Sequence, residues 1–566
     1  MTNNPQIGYI IGGGLKESFS ARLTVDPLTV QEGSFVVIDS GNYRFYGLVT
    51  DLRLGATDPR FADEPSETRL RPALAKALHG QTLYTNLEIL PALMLERGPD
   101  PASPAYKRWR AEQREEPRPV PVKTVPAHHA PVALADQTDI AAIFGDPDKE
   151  GNFIIGYTRE QGHPVCINLE KFVQRSSGVF GATGTGKSFL TRIVLAGLMK
   201  YDRASVLVLD MHNEYGFDDV ASDTKQTITG LQTRFRTKVQ VVGLGAGAKI
   251  RGQMPSFNLE IPMDEISTGD VETLSRELNL RETAPTVLSA LFTSFRTHWF
   301  ARFRAMNREE VEYEDEKGRM KRQPHPDSVA AWALANGVNV MAAEALHDKL
   351  RRLFDKPYIV ETPATDSVAQ IIQSLEAGRH VILSFGDYES DLDYLFVSNL
   401  LTRKIREAWE RRTNEFRSHG GKEPRPLVIV VEEAHKLLNR EMAAQTAFAT
   451  IARELRKYYV TLLIVDQRPS QIYDEVMSQL GTRISGWLGD DLDIQAVLAG
   501  LSGRDSLRGM LARLQPKEEV LLLGWGVPMP LPVRSRRYDD NFWRELLGKE
   551  NKPTEWELKQ TLGFET

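Results

Sequence analysis

The eight residues from Gly181 to Ser188, with the sequence GATGTGKS, constrain the fold of this chain more than any other stretch. They have the G-x-x-x-x-G-K-S spacing of a phosphate-binding P-loop. A short apolar run ends at Phe180, and apolar residues at helical spacing begin at Phe189. Glycines let the backbone turn its N–H groups towards phosphate oxygens, aided by the positive end of the following helix. The sequence therefore predicts a strand, a nucleotide-binding loop and a helix.

The residues of this loop predict a binding site for ATP and Mg²⁺. Lys187 is expected to reach the β- and γ-phosphates, and the Ser188 hydroxyl is a hard oxygen ligand that suits Mg²⁺. A glycine turn that happens to precede a lysine is the alternative, and eight constrained positions disfavour it. The predicted nucleotide-binding residues are Gly181, Thr183, Gly184, Thr185, Gly186, Lys187, Ser188 and Phe189.

The composition limits the class of protein. A chain of 566 residues is long enough for two to four domains. Its 70 Lys and Arg against 76 Asp and Glu give a net charge of −6, so any nucleic-acid site must be local. The single cysteine, Cys166, excludes an intramolecular disulfide framework and suits a reducing compartment. No leader pattern and no apolar stretch of ~20 residues is visible, so we expect a cytoplasmic protein without membrane contact.

The first 135 residues predict a separate β-rich domain. Short β-forming runs lie at 34–39 and 43–50, and the Asp39-Ser40-Gly41-Asn42 stretch between them is typical of a hairpin loop. Further candidate strands lie at 82–85, 87–90 and 130–134. Several short strands at this spacing indicate a small all-β barrel. The stretch from Arg97 to Pro126, rich in proline and charge, is expected to be a solvated loop.

Two apolar runs that end in carboxylates follow the P-loop. One covers 205–210 and ends in Asp210, and the other covers 427–433 and has the Walker B pattern. In that pattern Glu432 holds Mg²⁺ through water, and Glu433 polarises the water that attacks the γ-phosphate. Asp210, with the polar residues just after it, could position the attacking water or waters bound to Mg²⁺. A polar loop that caps the next helix is the alternative.

A third apolar run and the helix before it add two further candidates. Gln467 directly follows the apolar run at 460–466 and could sense the γ-phosphate. The helix predicted over 447–458 carries Arg453 and Arg456, either of which could be an arginine finger for a neighbouring subunit's nucleotide. A solvated helix face is the alternative for both arginines.

The remaining patterns predict an α/β fold: a P-loop NTPase core with an N-terminal small β-barrel and an inserted helical bundle. Helical spacing between 261 and 377 indicates the bundle, in which 307–322 is expected to be an exposed loop. Further strands of a large, mainly parallel sheet are predicted at 239–242, 380–385, 483–488 and 520–524. The expected divisions are 1–135 (barrel), 136–260 and 378–540 (core), 261–377 (bundle) and 541–566 (a C-terminal helical tail).

Two basic stretches are candidate phosphate-binding surfaces. Residues 534–537 could contact a neighbouring subunit's phosphates or form a plain surface patch. Residues 243–251, with Lys249 and Arg251, are a candidate loop for lining a central channel. After residues 534–537, short helices are predicted at 541–549 and near 555–558.

Together these motifs resemble the HerA family of hexameric DNA-translocating ATPases, in the FtsK–HerA branch of RecA-like motors. The N-terminal strands resemble the family's barrel, 430–435 is similar to its Walker B motif, and 456–469 resembles its arginine-finger and sensor region. The stretch from Asp210 to Tyr215 resembles the D-x-H-G-E-Y signature, with Asn213 in place of Gly. Glu432 is a second departure, since Asp is commoner at that position.

The resemblance implies a RecA-like core whose catalytic set is Lys187, Asp210, Glu433 and Arg456, with Arg456 acting on the neighbouring subunit's nucleotide. It also implies a homohexamer that threads duplex DNA without reading its sequence. Its partner would be a nuclease or a sirtuin-type NADase effector in DNA processing or anti-phage defence. An ATP-regulated ring that assembles such an effector without sustained translocation is an alternative. A conjugative or secretion coupling ATPase is a third, although those usually carry membrane segments.

Overall fold

The computed structural model describes residues 5–548 except 16, 58–82, 100–102, 113–116, 221–224, 226, 315–318, 443–445 and 502. Its N-terminal strands are β1 (Gln6–Gly13), β2 (Phe19–Leu23), β3 (Phe35–Ser40), β4 (Tyr43–Ala56), β5 (Leu83–Glu96), β6 (Val120–Pro121) and β7 (Pro131–Leu134). Six of them pair in the order β2-β1-β7-β3-β4-β5, and β5 pairs back onto β2. Alternate residues of β2, including Phe19 and Ala21, point into the interior. The predicted barrel is therefore confirmed.

Two details of the barrel differ from the prediction. Within the described residues, which resume at Leu83, the candidate strands at 82–85 and 87–90 belong to one long strand, β5. The solvated loop expected from Arg97 to Pro126 is wrong in part, because helix α1 (Pro104–Glu112) and β6 lie within it. Its aromatic residues explain the helix: the Trp109 indole donates to the Glu96 carboxylate at 3.2 Å, and its ring lies 5.6 Å from that of Tyr106. Because charged residues dominate this stretch, the sequence pattern did not indicate the packing of Trp109 that holds the helix.

The core contains a sheet of 12 strands. The strands after the barrel are β8 (Asn152–Tyr157), β9 (Pro164–Asn168), β10 (Ser177–Phe180), β11 (Ser205–Asp210), β12 (Asp219–Val220), β13 (Thr227–Ile228), β14 (Val239–Leu244), β15 (Phe257–Leu259), β16 (Ile261–Pro262), β17 (Glu310–Glu314), β18 (Met320–Pro324), β19 (Ile359–Val360), β20 (His380–Ser384), β21 (Leu427–Glu432), β22 (Val460–Asp466), β23 (Thr482–Ser485), β24 (Glu519–Gly524) and β25 (Leu531–Ser535).

The strand order of this sheet is β15-β14-β20-β11-β21-β22-β10-β23-β24-β25-β8-β9. The pairings from β15 to β23 are parallel, and those from β23 to β9 are antiparallel. The parallel strands are almost entirely buried on both faces, as apolar runs such as 427–431 predict. The prediction of a large, mainly parallel sheet is confirmed, and with it the fold class.

Helices cover the sheet and form the inserted segment. After α1 they are α2 (Gln137–Phe144), α3 (Leu169–Val173), α4 (Lys187–Tyr201), α5 (Leu231–Phe235), α6 (Thr268–Glu272), α7 (Ala284–Phe295), α8 (Trp299–Ala305), α9 (Val329–Ala335), α10 (Val340–Phe354), α11 (Ser367–Glu376), α12 (Asp391–His419), α13 (His435–Leu438), α14 (Ala447–Glu454), α15 (Asp474–Gln479), α16 (Asp491–Leu498), α17 (Arg504–Ala512) and α18 (Asp540–Leu547). The helix predicted near 555–558 lies outside the described residues.

The segment between β15 and β20 is mainly helical, and its described residues also include two small sheets, the parallel pair β16–β19 and an antiparallel hairpin. Helices α6 to α10 pack around Trp299, Phe300 and Phe303, all fully buried. The loop expected at 307–322 is instead the antiparallel hairpin β17–β18, in which Arg322 pairs with Glu312 at 3.1 Å. The alternation of charged residues with valine and tyrosine at 310–314 is a strand pattern that its charge obscured. The residues of β17 are exposed, as expected for that stretch.

The barrel is joined to the core by charged contacts. Arg159 donates to the Glu32 carbonyl of the barrel at 2.8 Å and to the Glu519 carboxylate of β24 at 2.8 Å. Arg513 forms an ion pair with the Glu32 carboxylate at 2.5 Å. The barrel is thus held against the strands at the antiparallel end of the sheet. Among the described residues, no helix is long and apolar enough to cross a lipid bilayer.

Candidate nucleotide site

Parallel pairing brings the sequence motifs to one edge of the sheet. Phe180, the last residue before the P-loop, pairs with Asp466, and Glu432 pairs with Val465. A cavity of about 830 Å³ opens at this edge. It is lined by the P-loop, Glu432, Glu433 and Gln467, together with residues from the far end of the chain. Three motifs that lie far apart in sequence therefore share one cavity.

The P-loop has the backbone conformation that phosphate binding needs. Gly184 and Gly186 have φ values of +77° and +87°, which only glycine adopts readily. A Cβ atom on Gly181 would lie 2.6 Å from the Thr185 hydroxyl, so the loop also closes too tightly there for a side chain. Lys187 is the first residue of α4, at the positive end of the helix. These features fit a bound triphosphate.

Glu432 is a buried carboxylate that lacks a full set of partners. Its Oε1 accepts from the Tyr215 hydroxyl at 2.7 Å, but its Oε2 has no hydrogen-bond partner among the described residues. Burial and the nearby charge of Asp210 raise the pKa of Glu432 well above its usual value. A cation beside Oε2 would remove this cost, because it would compensate the buried charge. The site therefore fits Mg²⁺ held by Glu432 and the Ser188 hydroxyl, which lines the same cavity.

Gln467 connects the two catalytic motifs. Its Oε1 accepts a hydrogen bond from the Thr183 hydroxyl at 2.6 Å, and its Nε2 donates to Glu433 Oε2 at 3.2 Å. Glu433 itself has a φ of +43°, a left-handed conformation that is uncommon for a residue with a side chain. Strain of this kind persists where the surrounding structure holds a side chain for function. Thr183 of the P-loop, Gln467 at the end of β22 and Glu433 of the Walker B motif thus form one hydrogen-bonded unit.

His435 lies behind this unit. Its Nδ1 is 3.0 Å from the fully buried Asp466 carboxylate and 3.6 Å from Glu433 Oε2. The hydrogen bond to Asp466 raises the pKa of His435. Although burial alone would favour neutral Asp466, its hydrogen bonds with His435 hold the pKa of this carboxyl below its usual value. The arrangement favours an imidazolium–carboxylate pair next to Glu433.

The structure does not bring the Asp210 side chain to the cavity with the other candidates. Its carboxylate is fully buried and accepts from the backbone N–H groups of Glu214 at 2.8 Å and Tyr215 at 3.0 Å. Burial raises the pKa of Asp210 to about 6. The Asp210 side chain therefore shapes the turn after β11, whereas His212 and Glu214 on that turn line the cavity.

Asn213 has a physical reason to occupy a position where the resembling signature has glycine. Its φ is +56°, and asparagine is among the few residues besides glycine that tolerate this conformation. Its side chain also accepts from the Gly386 N–H at 2.9 Å and donates to the Gly386 carbonyl at 3.2 Å. Asn213 thus keeps the turn and adds a contact to the loop after β20.

The basic candidates fall in different places. Arg456 is exposed and is not among the described residues that line this cavity. Arg251 donates to the Asn213 carbonyl at 3.0 Å and pairs with Asp219, so this arginine of the 243–251 loop is held within its own chain. From the tail, Arg536, Arg537 and Tyr538 line the cavity of their own chain. The further cavity residues Arg192 and Lys517 were not anticipated, since no motif marks them.

Comparison with known proteins decides the family. A family model described as "Helicase HerA, central domain" matches residues 153–405, and one described as "HAS barrel domain" matches residues 7–73. The DNA double-strand break repair helicase HerA of Saccharolobus solfataricus is 22% identical over 550 residues, which cover 96% of this chain and 94% of that protein. Its namesake from Sulfurisphaera tokodaii is 23% identical over 558 residues, covering 97% and 96%. The chain belongs to the HerA family.

Family membership makes this chain an ATPase. Among solved structures, the bacterial conjugative coupling protein TrwB aligns with a TM-score of 0.44 and 13% identity over 71% of this chain and 92% of its own. VirB4 of Thermoanaerobacter pseudethanolicus aligns with a TM-score of 0.43 and 14% identity over 70% and 99%.

Proposed function

We propose that this HerA-family chain forms a homohexameric ring that couples ATP hydrolysis to movement along DNA in the cytoplasm. The curated relatives that match nearly the whole chain are named DNA double-strand break repair helicases. The observation that carries the proposal is the unit of Thr183, Gln467 and Glu433. It joins the place of the γ-phosphate to the carboxylate that would activate water.

The proposed roles follow from position. Lys187 binds the β- and γ-phosphates, and Glu433 orients and polarises the attacking water. Gln467 reports the state of the γ-phosphate to Glu433 through its amide. Asp210 acts indirectly, by fixing the turn that carries His212 and Glu214. Mg²⁺, held by Ser188 and Glu432, would neutralise charge on the phosphate oxygens.

Arg456 is proposed to act across a subunit boundary. The arginine is exposed and lies outside the cavity of its own chain, which suits a finger offered to the neighbouring nucleotide. At the same turn, Arg417 donates a hydrogen bond to the Lys457 carbonyl, and the Lys457 ammonium lies 5.1 Å from the centre of the Tyr458 ring, so the segment next to Arg456 is anchored. Hydrolysis would then require a ring, since each site takes residues from two copies.

The ring is proposed to hold duplex DNA without reading its sequence. A chain with a net charge of −6 needs local basic surfaces for this, and affinity that rests on phosphate contacts falls steeply with salt. We also propose that a partner protein, a nuclease or an NADase-type effector, supplies the chemistry of DNA processing or anti-phage defence. The motor would deliver DNA to that partner.

The test is steady-state ATP hydrolysis by purified protein, with and without duplex DNA. Wild-type protein should be stimulated by DNA of any sequence, and Lys187→Ala should abolish hydrolysis. Glu433→Gln should lower kcat by roughly 10²- to 10⁴-fold while nucleotide still binds. Lys200→Ala, on the exposed end of the same helix, is the matched control and should hydrolyse normally.

Two outcomes would contradict the motor. DNA-stimulated hydrolysis that survives Lys187→Ala would separate the activity from this P-loop. Copurification with an effector whose activity is retained by Glu433→Gln would favour the ring scaffold instead, because that variant binds ATP without turning it over.

A further inference from the structure

Two aromatic rings line the cavity beyond the phosphate-binding residues. Phe189 lies two residues after Lys187 in the first turn of α4, and 38% of its surface is exposed. The ring of Tyr538 lies 6.3 Å from it, centroid to centroid, at an angle of 44°. Large exposed aromatic surface inside a cavity is a common mark of a ligand contact.

A buried arginine lies against the same two rings. Arg192 is one turn further along α4, is only 3% exposed and lines the cavity. Its guanidinium carbon is 5.5 Å from the centre of the Phe189 ring and 5.8 Å from that of Tyr538. One terminal nitrogen donates to the Glu214 carbonyl, but Nε has no hydrogen-bond partner among the described residues. A buried donor without a partner is costly, so an acceptor on a ligand would stabilise it.

Tyr538 is fixed in place by the end of the chain. Its hydroxyl donates to the Thr229 carbonyl at 2.7 Å. Its ring packs 5.3 Å from that of Trp543 in α18, and Trp543 in turn packs 5.8 Å from Phe235 in α5. The segment from Ser535 to Tyr538, the C-terminal strap, is therefore a fixed wall of the cavity in its own chain. The proposed function gives this wall no role.

We propose that Phe189 and Tyr538 form the surface that binds the nucleobase of a purine nucleoside triphosphate, and that Arg192 Nε donates to an acceptor of the nucleoside. The inference rests on the proposed function, since phosphates held by Lys187 place the nucleoside beyond the start of α4. The two rings touch each other, so the base lies against their shared surface and not between them. Stacking of this kind strengthens binding by about 5- to 100-fold for each base.

The C-terminal strap then belongs to the nucleotide site of its own subunit. This differs from the two uses that its basic residues predict, which were contact with a neighbour's phosphates and a plain surface patch. It also divides the site into two parts with different ligands. The P-loop binds the triphosphate, and the aromatic wall binds the nucleoside.

The test compares two ligands that share only the phosphates. Binding of the β,γ-imido analogue of ATP and of inorganic tripolyphosphate, both with Mg²⁺, is measured by calorimetry on the full chain. Phe189→Ala should weaken binding of the ATP analogue by about 5- to 100-fold and leave tripolyphosphate unchanged. Phe189→Tyr keeps an aromatic ring and should bind both as wild type does. Phe292→Ala, which removes an exposed phenylalanine of the inserted segment, is the matched control.

A second variant, outside α4, tests whether the effect of Phe189→Ala comes only from a local distortion of that helix. Tyr538→Leu keeps apolar bulk in the strap and should also weaken only the ATP analogue. Equal loss of both ligands in Phe189→Ala, or loss of neither, would overturn the inference. Wild-type protein that binds neither ligand would overturn the proposed function itself, so the two failures are distinguishable.

Discussion

At the scale of single residues, the Thr183 hydroxyl decides which way the Gln467 amide points. The amide oxygen accepts from Thr183, which leaves the amide nitrogen facing Glu433. The reverse orientation would place the amide oxygen against the carboxylate, where neither atom can donate. A side chain of the phosphate loop therefore fixes the contact that holds the Walker B carboxylate.

Replacing Thr183 with valine keeps the branched shape and removes this donor. Gln467 is then free to turn, so Glu433 is held less well at the position for attack. We expect kcat for ATP to fall about 10-fold, which corresponds to about 1.4 kcal/mol, with little change in KM. Thr183→Ser retains the hydroxyl and should keep most of the activity. A rise in KM together with the fall in kcat would instead indicate a direct role of Thr183 in binding.

Asn213 offers a test of backbone strain. Asn213→Gly removes the two side-chain hydrogen bonds to Gly386 but suits the φ of +56°. Asn213→Ala removes the same bonds and also places a Cβ in a conformation that costs roughly 1–2 kcal/mol. Thermal unfolding should therefore rank the midpoints as wild type above Asn213→Gly above Asn213→Ala. Equal midpoints for the two variants would show that the turn relaxes.

Some of this detail follows from sequence and some does not. The P-loop and Walker B residues are recognised because their chemistry demands fixed spacing along the chain. The bond between Thr183 and Gln467 joins residues 284 positions apart, and no local pattern encodes it. The same is true of Arg192 and Tyr538, which acquire their surroundings only from the packing of the tail against α4.

At the scale of the elements, β20 begins with a histidine that burial keeps neutral. His380 is fully buried, and neither ring nitrogen has a hydrogen-bond partner among the described residues. Burial lowers the pKa of His380 from 6.5 to about 4. The unfolded chain therefore takes up a proton as pH falls below 6.5, while the folded chain does not until about pH 4. Above pH 6.5 this histidine therefore leaves the free energy of unfolding unchanged. Below pH 6.5 it lowers the free energy of unfolding progressively.

Replacing His380 with phenylalanine should remove this pH dependence. Between pH 7 and pH 5 the wild-type chain should lose about 2 kcal/mol more than the variant, since 1.5 pH units below the unfolded pKa correspond to that energy. Thermal unfolding at the two pH values measures the difference. His128→Phe changes an exposed histidine and should behave as wild type. If both variants lose stability in parallel with wild type, other groups govern acid unfolding.

The elements show where sequence patterns are reliable. Buried strands such as β11, β21 and β22 are continuous apolar runs, and each is present where its run predicts it. Helix α1 and the hairpin β17–β18 were missed because charged residues dominate their sequences. Such surface elements are held by a few packing contacts, such as those of Trp109, which the charge pattern of the sequence does not indicate.

At the scale of the whole molecule, Arg456 and Lys187 should complement each other between subunits. Lys187→Ala and Arg456→Ala rings are each expected to be inactive, since every site lacks one residue. In rings mixed from both variants, some boundaries pair an intact Lys187 with an intact Arg456. ATP hydrolysis should therefore reappear on mixing, up to about a quarter of the wild-type rate if subunits exchange at random and each intact boundary acts alone. The same mixing experiment with Arg453→Ala and Lys187→Ala tests whether Arg453, rather than Arg456, is the arginine finger.

The order of strands in the central sheet has a consequence for how the protein is made. The strand that leads into the P-loop lies between β22 and β23, which are translated long after it. The 284 residues between Thr183 and Gln467 take roughly 15 to 60 s to synthesise at the usual rate of elongation. During that time the apolar strand has emerged from the ribosome with neither neighbour present. A nascent chain of this protein should therefore depend on a chaperone until nearly all of it has been made.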